Sequence, residues 1–175
     1  SGIFSLVTTV TDSAGATDTW GEEELITVYD PDGGFVTGGG WIESLPGAYK
    51  PDPSMTGKAS FGFVSKYTKG KSNPGGNTTF IFNAGGLKFK SESYEWLVIN
   101  QNDSTAKYKG RGAINGNMAP YGQPYKFMIW AADNIPDTFR IKIWYEEIGD
   151  EIIVYDNGVS QPLQGGNIMI QKGKK

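Results

Sequence analysis

The chain has no cysteine and no histidine. The first absence excludes a disulfide framework, a thiol nucleophile, a zinc ribbon and an iron–sulfur cluster. The second excludes an imidazole base, a Ser-His-Asp triad and the usual zinc, copper or non-haem iron sites. What survives is chemistry by Asp, Glu, Lys, Tyr or Ser, or a hard cation held by oxygen ligands. Helical periodicity is nearly missing, and no apolar run reaches membrane-spanning length. The net charge of −3 over 175 residues lacks the strongly basic balance of a dedicated nucleic-acid binder. Neither nucleic-acid binding nor membrane insertion is expected. No signal peptide is recognised, and the chain opens mid-pattern at Ser1-Gly2-Ile3-Phe4, so it reads as a piece of something longer.

Punctuation and alternation are abundant. The sequence holds 25 Gly and 9 Pro, and 13% aromatic within 38% hydrophobic residues is enough to fill a core. Apolar positions recur with period two. Ile3–Thr11 and Glu23–Tyr29 are the first strand candidates, with a turn at residues 12–18. Asp30-Pro31-Asp32-Gly33-Gly34 then reads as a boundary, dividing the chain into units 1–31 and 32–175. Beyond it the candidates are Phe35–Glu43, Gly57–Lys66, Thr78–Ala84, Leu87–Ser91, Tyr94–Asn100, Ala106–Ile114, Pro124–Ala132, Thr138–Tyr145, Glu151–Tyr155 and Asn167–Gln171. Leu45 to Thr56, with Pro46, Pro51 and Pro53, reads as an irregular crossing loop. Roughly ten strands in about 140 residues exceed one flat sheet of ordinary width, so the expected fold is an all-β, jelly-roll-like antiparallel sandwich with an N-terminal hairpin.

Several runs carry a resemblance. They are Gly33-Gly34-Phe35-Val36-Thr37-Gly38-Gly39-Gly40-Trp41-Ile42, Pro46-Gly47-Ala48-Tyr49, Gly57 to Tyr67, Gly76 to Phe80, Tyr94 to Val98, Ala106 to Gly110, Phe139 to Trp144 and Val154 to Asn157. In this order they resemble the post-COAP domain family of bacterial secreted and cell-surface proteins, over about residues 33–172. Leu6 to Asp12 and Glu24 to Val28 resemble the last two strands of a polycystic kidney disease (PKD) domain. The resemblance implies an extracellular, non-catalytic accessory module with PKD-like neighbours. Members of the family tend to carry Asp directly after the Ile-Trp pair, where this chain has Tyr145. The stretch before Phe139, often longer and richer in Asp in the family, is only Asp133-Asn134-Ile135-Pro136-Asp137 here.

Strand parity supplies the binding candidates. Arg140, Lys142 and Trp144 share one face of their strand, opposite Phe139, Ile141 and Ile143; Lys126, Met128 and Trp130 oppose Phe127, Ile129 and Ala131. Lys107, Lys109 and Arg111 alternate with Ala106, Tyr108 and Gly110 in the same way. Outward tryptophans suit sugar C–H groups, and flanking cations suit a carboxylate or sulfate. Trp130, Trp144, Arg140, Lys142 and Lys126 therefore form a candidate glycan face. The competing reading is that the lysines deter edge aggregation while the tryptophans are covered. Trp96, between Tyr94 and Val98, is expected in the core.

Asp30, Asp32, Asp133, Asp137, Asp150 and Asp156 lie in turns with free carbonyls nearby. Among them Asp133, Asp137 and Asp156 are the candidate ligands for calcium, against the reading that each simply bonds a neighbouring N–H group. Paired carboxylates for glycoside hydrolysis would come from Glu92, Glu95, Glu146, Glu147 or Glu151. The functions left in play are a glycan or cell-surface binding module, a structural module assembling with like subunits by strand addition through its hairpin, and, third, a carboxylate glycosidase.

Overall fold

The computed structural model describes residues 2–28, 34–68, 70–100 and 102–173, with backbone only at 2–10, 18–28 and 172. The proposed boundary at residues 30–34 lies largely outside the described residues, as do Asp30 and Asp32. The fold is all-β and antiparallel. Its strands are β1 (Gly2–Thr11), β2 (Thr17–Val28), β3 (Gly34–Ser44), β4 (Gly57–Lys66), β5 (Gly75–Phe82), β6 (Leu87–Asn100), β7 (Thr105–Ile114), β8 (Tyr125–Ala132), β9 (Thr138–Glu147), β10 (Asp150–Asp156), β11 (Gln161–Pro162) and β12 (Gly165–Lys172). One 3-10 turn, Pro120–Gly122, interrupts them. No helix among the described residues is long and apolar enough to cross a membrane.

β1 and β2 form their own two-stranded ladder, closed by a turn in which Asp12 Oδ1 accepts from the backbone N–H groups of Ala14 and Ala16. The other strands make one sheet in the order β10-β9-β8-β7-β6-β5-β4-β3-β12, with β11 joining β9. From β3 to β10 every strand pairs with its sequence neighbour. Connectivity is therefore a meander, without the crossovers of a jelly roll, until β12 returns to β3. The two facing layers expected from the strand count are the two halves of this sheet, which curls over itself. Ring contacts record the curl: Phe61 of β4 stacks on Phe139 of β9 with centroids 3.8 Å apart and planes 6° apart. Phe80 of β5 meets Tyr155 of β10 at 4.6 Å.

The interior follows from alternation. Phe61, Phe63, Phe80, Phe82, Phe89, Tyr108, Phe127, Phe139, Ile141 and Ile143 are buried on the concave face. Each large side chain sealed there contributes about 1.5–3 kcal/mol of apolar transfer. Most polar side chains inside are paired: Thr78 Oγ1 bonds the hydroxyls of Tyr94 (2.8 Å) and Tyr108 (3.1 Å), and the Tyr155 hydroxyl donates to Ser44 Oγ at 2.9 Å, whereas the buried Ser65 Oγ has no partner among the described residues. Each such pairing matters, because an unpaired buried hydroxyl is costly.

β6 departs from simple alternation. The two segments expected there are one strand carrying two bulges, where Glu92 and Glu95 have no register partner. Each extra residue flips the parity. After the second, Leu97 and Ile99 join Tyr94 in the core, while Trp96 turns outward and is half-buried. The expectation that Trp96 belongs to the core is corrected on this ground. Gly110, paired with Tyr94 beside the bulge, has no room for a side chain: a Cβ would drive into the Ser93 carbonyl and lie 2.7 Å from the Phe127 ring.

Both edges of the main sheet are covered. The irregular crossing loop lays residues 48–50 along β10, with Lys50 N donating to Val154 O and Asp156 N to Ala48 O, each at 2.9 Å. Along β12, carboxylates replace a strand: Ile168 N donates to Asp137 Oδ2 at 2.7 Å, and Ile170 N to Asp133 Oδ2 at 3.0 Å.

Candidate functional site

The convex face of β6–β9 gathers the polar residues singled out by parity. Register aligns Val98, Lys107, Trp130 and Arg140 in one row across four strands. The next row runs Trp96, Lys109, Met128, Lys142, and a third runs Arg111, Lys126, Trp144, Ile153. Arg140 and Lys142 point outward and Ile141 and Ile143 inward, as the alternation predicts.

The two tryptophans differ in what covers them. Trp144 is only 4% exposed. The Lys142 and Lys109 ammonium groups lie 4.9 and 5.8 Å from its ring centroid, so their aliphatic stems roof it. Its Nε1 has no hydrogen-bond partner among the described residues. Trp144 is thus an outward but sealed side chain, and it does not form an exposed platform with Trp130. Trp130 is half-buried, less covered than Trp144, with the Arg140 guanidinium 4.3 Å from its ring centroid.

Most cations of the face are already paired. Arg140 donates two hydrogen bonds to the Asp156 carboxylate, Nε to Oδ1 at 3.2 Å and Nη2 to Oδ2 at 3.1 Å. Lys126 pairs with Glu146 and Lys142 with Glu151. Glu95, in the second bulge, takes Arg111 at 2.8 Å and Lys109 at 3.4 Å. Burial acts to raise the Glu95 pKa, but the Arg111 hydrogen bond and the two positive charges together hold it below the usual value. Arg140, Lys142 and Lys126, three of the candidate ligand residues, therefore have carboxylates in place.

A cleft of about 740 Å³ opens where the β6–β7 turn meets the β8–β9 loop. Trp130 and Val98 give it an apolar wall; Asn100, Asn134 and Thr138 give it polar ones, and Lys107 stands among them. The Asp133 N–H donates to the Ser104 carbonyl at 3.0 Å, tying the two loops together at its end. Sequence reasoning placed Lys107 on this face without choosing it. No sequence signal distinguishes it, because what sets it apart is the carboxylate it lacks: among the described residues, none stands within salt-bridge distance of Lys107, whereas the five neighbouring cations each have one.

The three candidate calcium ligands are not brought together. Asp133 and Asp137 cap β12, Asp137 Oδ1 also accepts from Asn134 N at 3.1 Å, and Asp156 holds Arg140 and the Gly158 N–H. No group of three or more acidic side chains suited to a metal ion occurs among the described residues. Of the acids considered for hydrolysis, Glu146 and Glu151 are register partners across β9 and β10, but each is engaged by a lysine, Lys126 and Lys142; Glu147 accepts from the Tyr121 hydroxyl at 3.0 Å, and Glu92 and Glu95 lie on β6. Tyr145 packs edge-on against Tyr125 at 5.9 Å.

Compared with protein-family models, curated proteins and solved structures, the chain matches none. Its resemblance to post-COAP and PKD domains rests on the sequence motifs quoted above.

Proposed function

We propose that the chain is a non-catalytic module, working at or outside the cell surface, that holds a polysaccharide or cell-surface glycan in the Trp130 cleft. The observation that carries this reading is the partly exposed indole at the wall of a polar, amide-lined cleft, because such a ring offers a flat apolar surface to sugar C–H groups while nearby amides bond hydroxyls. Arg140, clamped by Asp156, lies against the ring from the neighbouring strand β9. The cleft lining contains one carboxylate, Asp103, whose Oδ1 accepts from Thr105 Oγ1 at 2.7 Å. One engaged acid does not supply the pair that glycoside hydrolysis uses. Retention on immobilised polysaccharides is the test. Trp130→Ala should lower it by on the order of tenfold, whereas Trp144→Phe, which changes a sealed ring, should leave it intact. Equal retention of both variants would remove the cleft from the account.

A second reading, assembly with like subunits, has its own support: the described strands β1 and β2 ladder only with each other. Their outer edges are then available for strand addition, unlike the covered edges of the main sheet. Removing residues 1–31 and measuring particle mass by light scattering tests it; an unchanged mass would exclude hairpin-mediated assembly.

A further inference from the structure

We infer that the glycan taken by the Trp130 cleft is an anionic one, and that Lys107 is the residue that reads its charge. This rests on the glycan-binding reading above and adds the chemical class of the ligand. Six cations project from the convex face of β7–β9: Lys107, Lys109, Arg111, Lys126, Arg140 and Lys142. Five have a carboxylate within salt-bridge distance, Lys109 and Arg111 sharing Glu95 while Lys126, Arg140 and Lys142 take Glu146, Asp156 and Glu151. The sixth, Lys107, is exposed, lines the cleft and is the register partner of Trp130. An indole and a cation without a carboxylate partner among the described residues thus stand side by side on adjacent strands. Directly paired positions bring Cβ atoms to about 4.5–5.5 Å, which matches a sugar ring on the indole with its acidic substituent on the ammonium.

Arg140 does not compete for this role. Its guanidinium commits the Nε–Nη2 edge to Asp156 and lies 4.3 Å from the Trp130 ring centroid, so its charge is already met by a carboxylate. The chain as a whole carries −3, so it exerts no general attraction on polyanions and the recognition has to be local. Asp103 lies in the same lining, in the turn that precedes β7, and opposes an anion. It limits affinity and orients the acidic group toward Lys107.

The experiment is affinity electrophoresis of the whole chain through gels containing polygalacturonate, dextran sulfate or neutral dextran. The wild type should be retarded by an acidic polymer, the carboxylated and sulfated arms identifying which acid is preferred. Lys107→Met should weaken that retardation by about tenfold, the loss expected for one charge-assisted contact. Lys90→Met, at the other end of the sheet and equal in charge change, should leave it unaltered. Asp103→Asn should strengthen it. Retardation by dextran equal to that by the acidic polymers, or a Lys107→Met effect no larger than that of Lys90→Met, would overturn the role of Lys107 while leaving glycan binding standing. Retardation by none of the three in the wild type, together with no retention on any other immobilised polysaccharide, would instead remove the glycan-binding reading itself.

Discussion

Asp137 and Ile168, from opposite ends of the curled sheet, are joined by a 2.7 Å hydrogen bond from the Ile168 backbone N–H to the Asp137 carboxylate. Asp133 does the same for Ile170. Side-chain oxygens here occupy the positions that a neighbouring strand's carbonyls would fill. The outer edge of β12 is thereby closed without a further strand, which is one of the ways that proteins protect sheet edges from pairing with other chains.

Replacing Asp137 by Ala leaves the Ile168 and Asn134 N–H groups without their acceptor. The expected loss is about 1–3 kcal/mol, read as a lower urea midpoint. The same variant should self-associate more readily in light scattering, because the β12 edge is freed. Asp137→Asn keeps an acceptor oxygen and should lose less. A midpoint unchanged in Asp137→Ala would show that the bond contributes nothing.

Alternation made most strands legible to within two residues, but β2 begins six residues before its expected start, β5 three before, and the two-residue β11 had no signal. Gly57–Lys66 is both the expected and the observed span of β4, and Ile141 and Ile143 lie inside with Arg140 and Lys142 outside, because period-two burial is a local property. It failed where the period breaks. Nothing in Ser-Glu-Ser-Tyr-Glu announces two bulges, and so Trp96 was placed on the wrong face. Parity also gives direction without covering: Trp144 points outward yet is sealed by the stems of Lys109 and Lys142, which arrive from β7 and from two residues upstream. Connectivity was the least legible, since meanders and crossovers share the same strand pattern. For the site, the sequence revealed Trp130 and its cations, but the isolation of Lys107 depends on which carboxylates the register sets beside the others.

Ile148 is a second place where local rules and structure diverge. The turn between β9 and β10 is Ile148-Gly149, with φ of 52° and 88°. Such two-residue turns favour Asn-Gly, as in Asn115-Gly116 at the end of β7, whose φ values are 53° and 75°. A β-branched residue in this region is strained by about 1–3 kcal/mol, and Ile148 is 98% exposed, so packing does not repay it. Ile148→Asn should raise the melting temperature by several degrees, corresponding to roughly 1 kcal/mol. A lower melting temperature would mean that Ile148 has a stabilising contact in solution.

Buried phenols set the alkaline limit. Burial raises the Tyr155 pKa, the neighbouring Asp156 charge adds to this and the Ser44 hydrogen bond opposes it, leaving the hydroxyl pushed up to about 12. Burial also raises Tyr94, and Tyr108 well above its ordinary value. The unfolded chain loses these protons near pH ~10, so between that pH and the folded values it binds fewer protons than the native state. Stability is therefore fully present below pH ~10 and falls as pH rises toward 12. Urea midpoints across this window should decline, and the decline should be shallower in Tyr155→Phe. Identical slopes in the two proteins would show that Tyr155 titrates normally.

The most direct measurement is a two-dimensional NMR titration of the five tryptophan indole N–H groups with the acidic polysaccharide fragments that the protein retains. The Trp130 signal, assigned by its loss in Trp130→Phe, should shift most, and the sealed Trp144 should stay nearly fixed. A titration that moves other indoles and leaves Trp130 in place would contradict the cleft as the binding site.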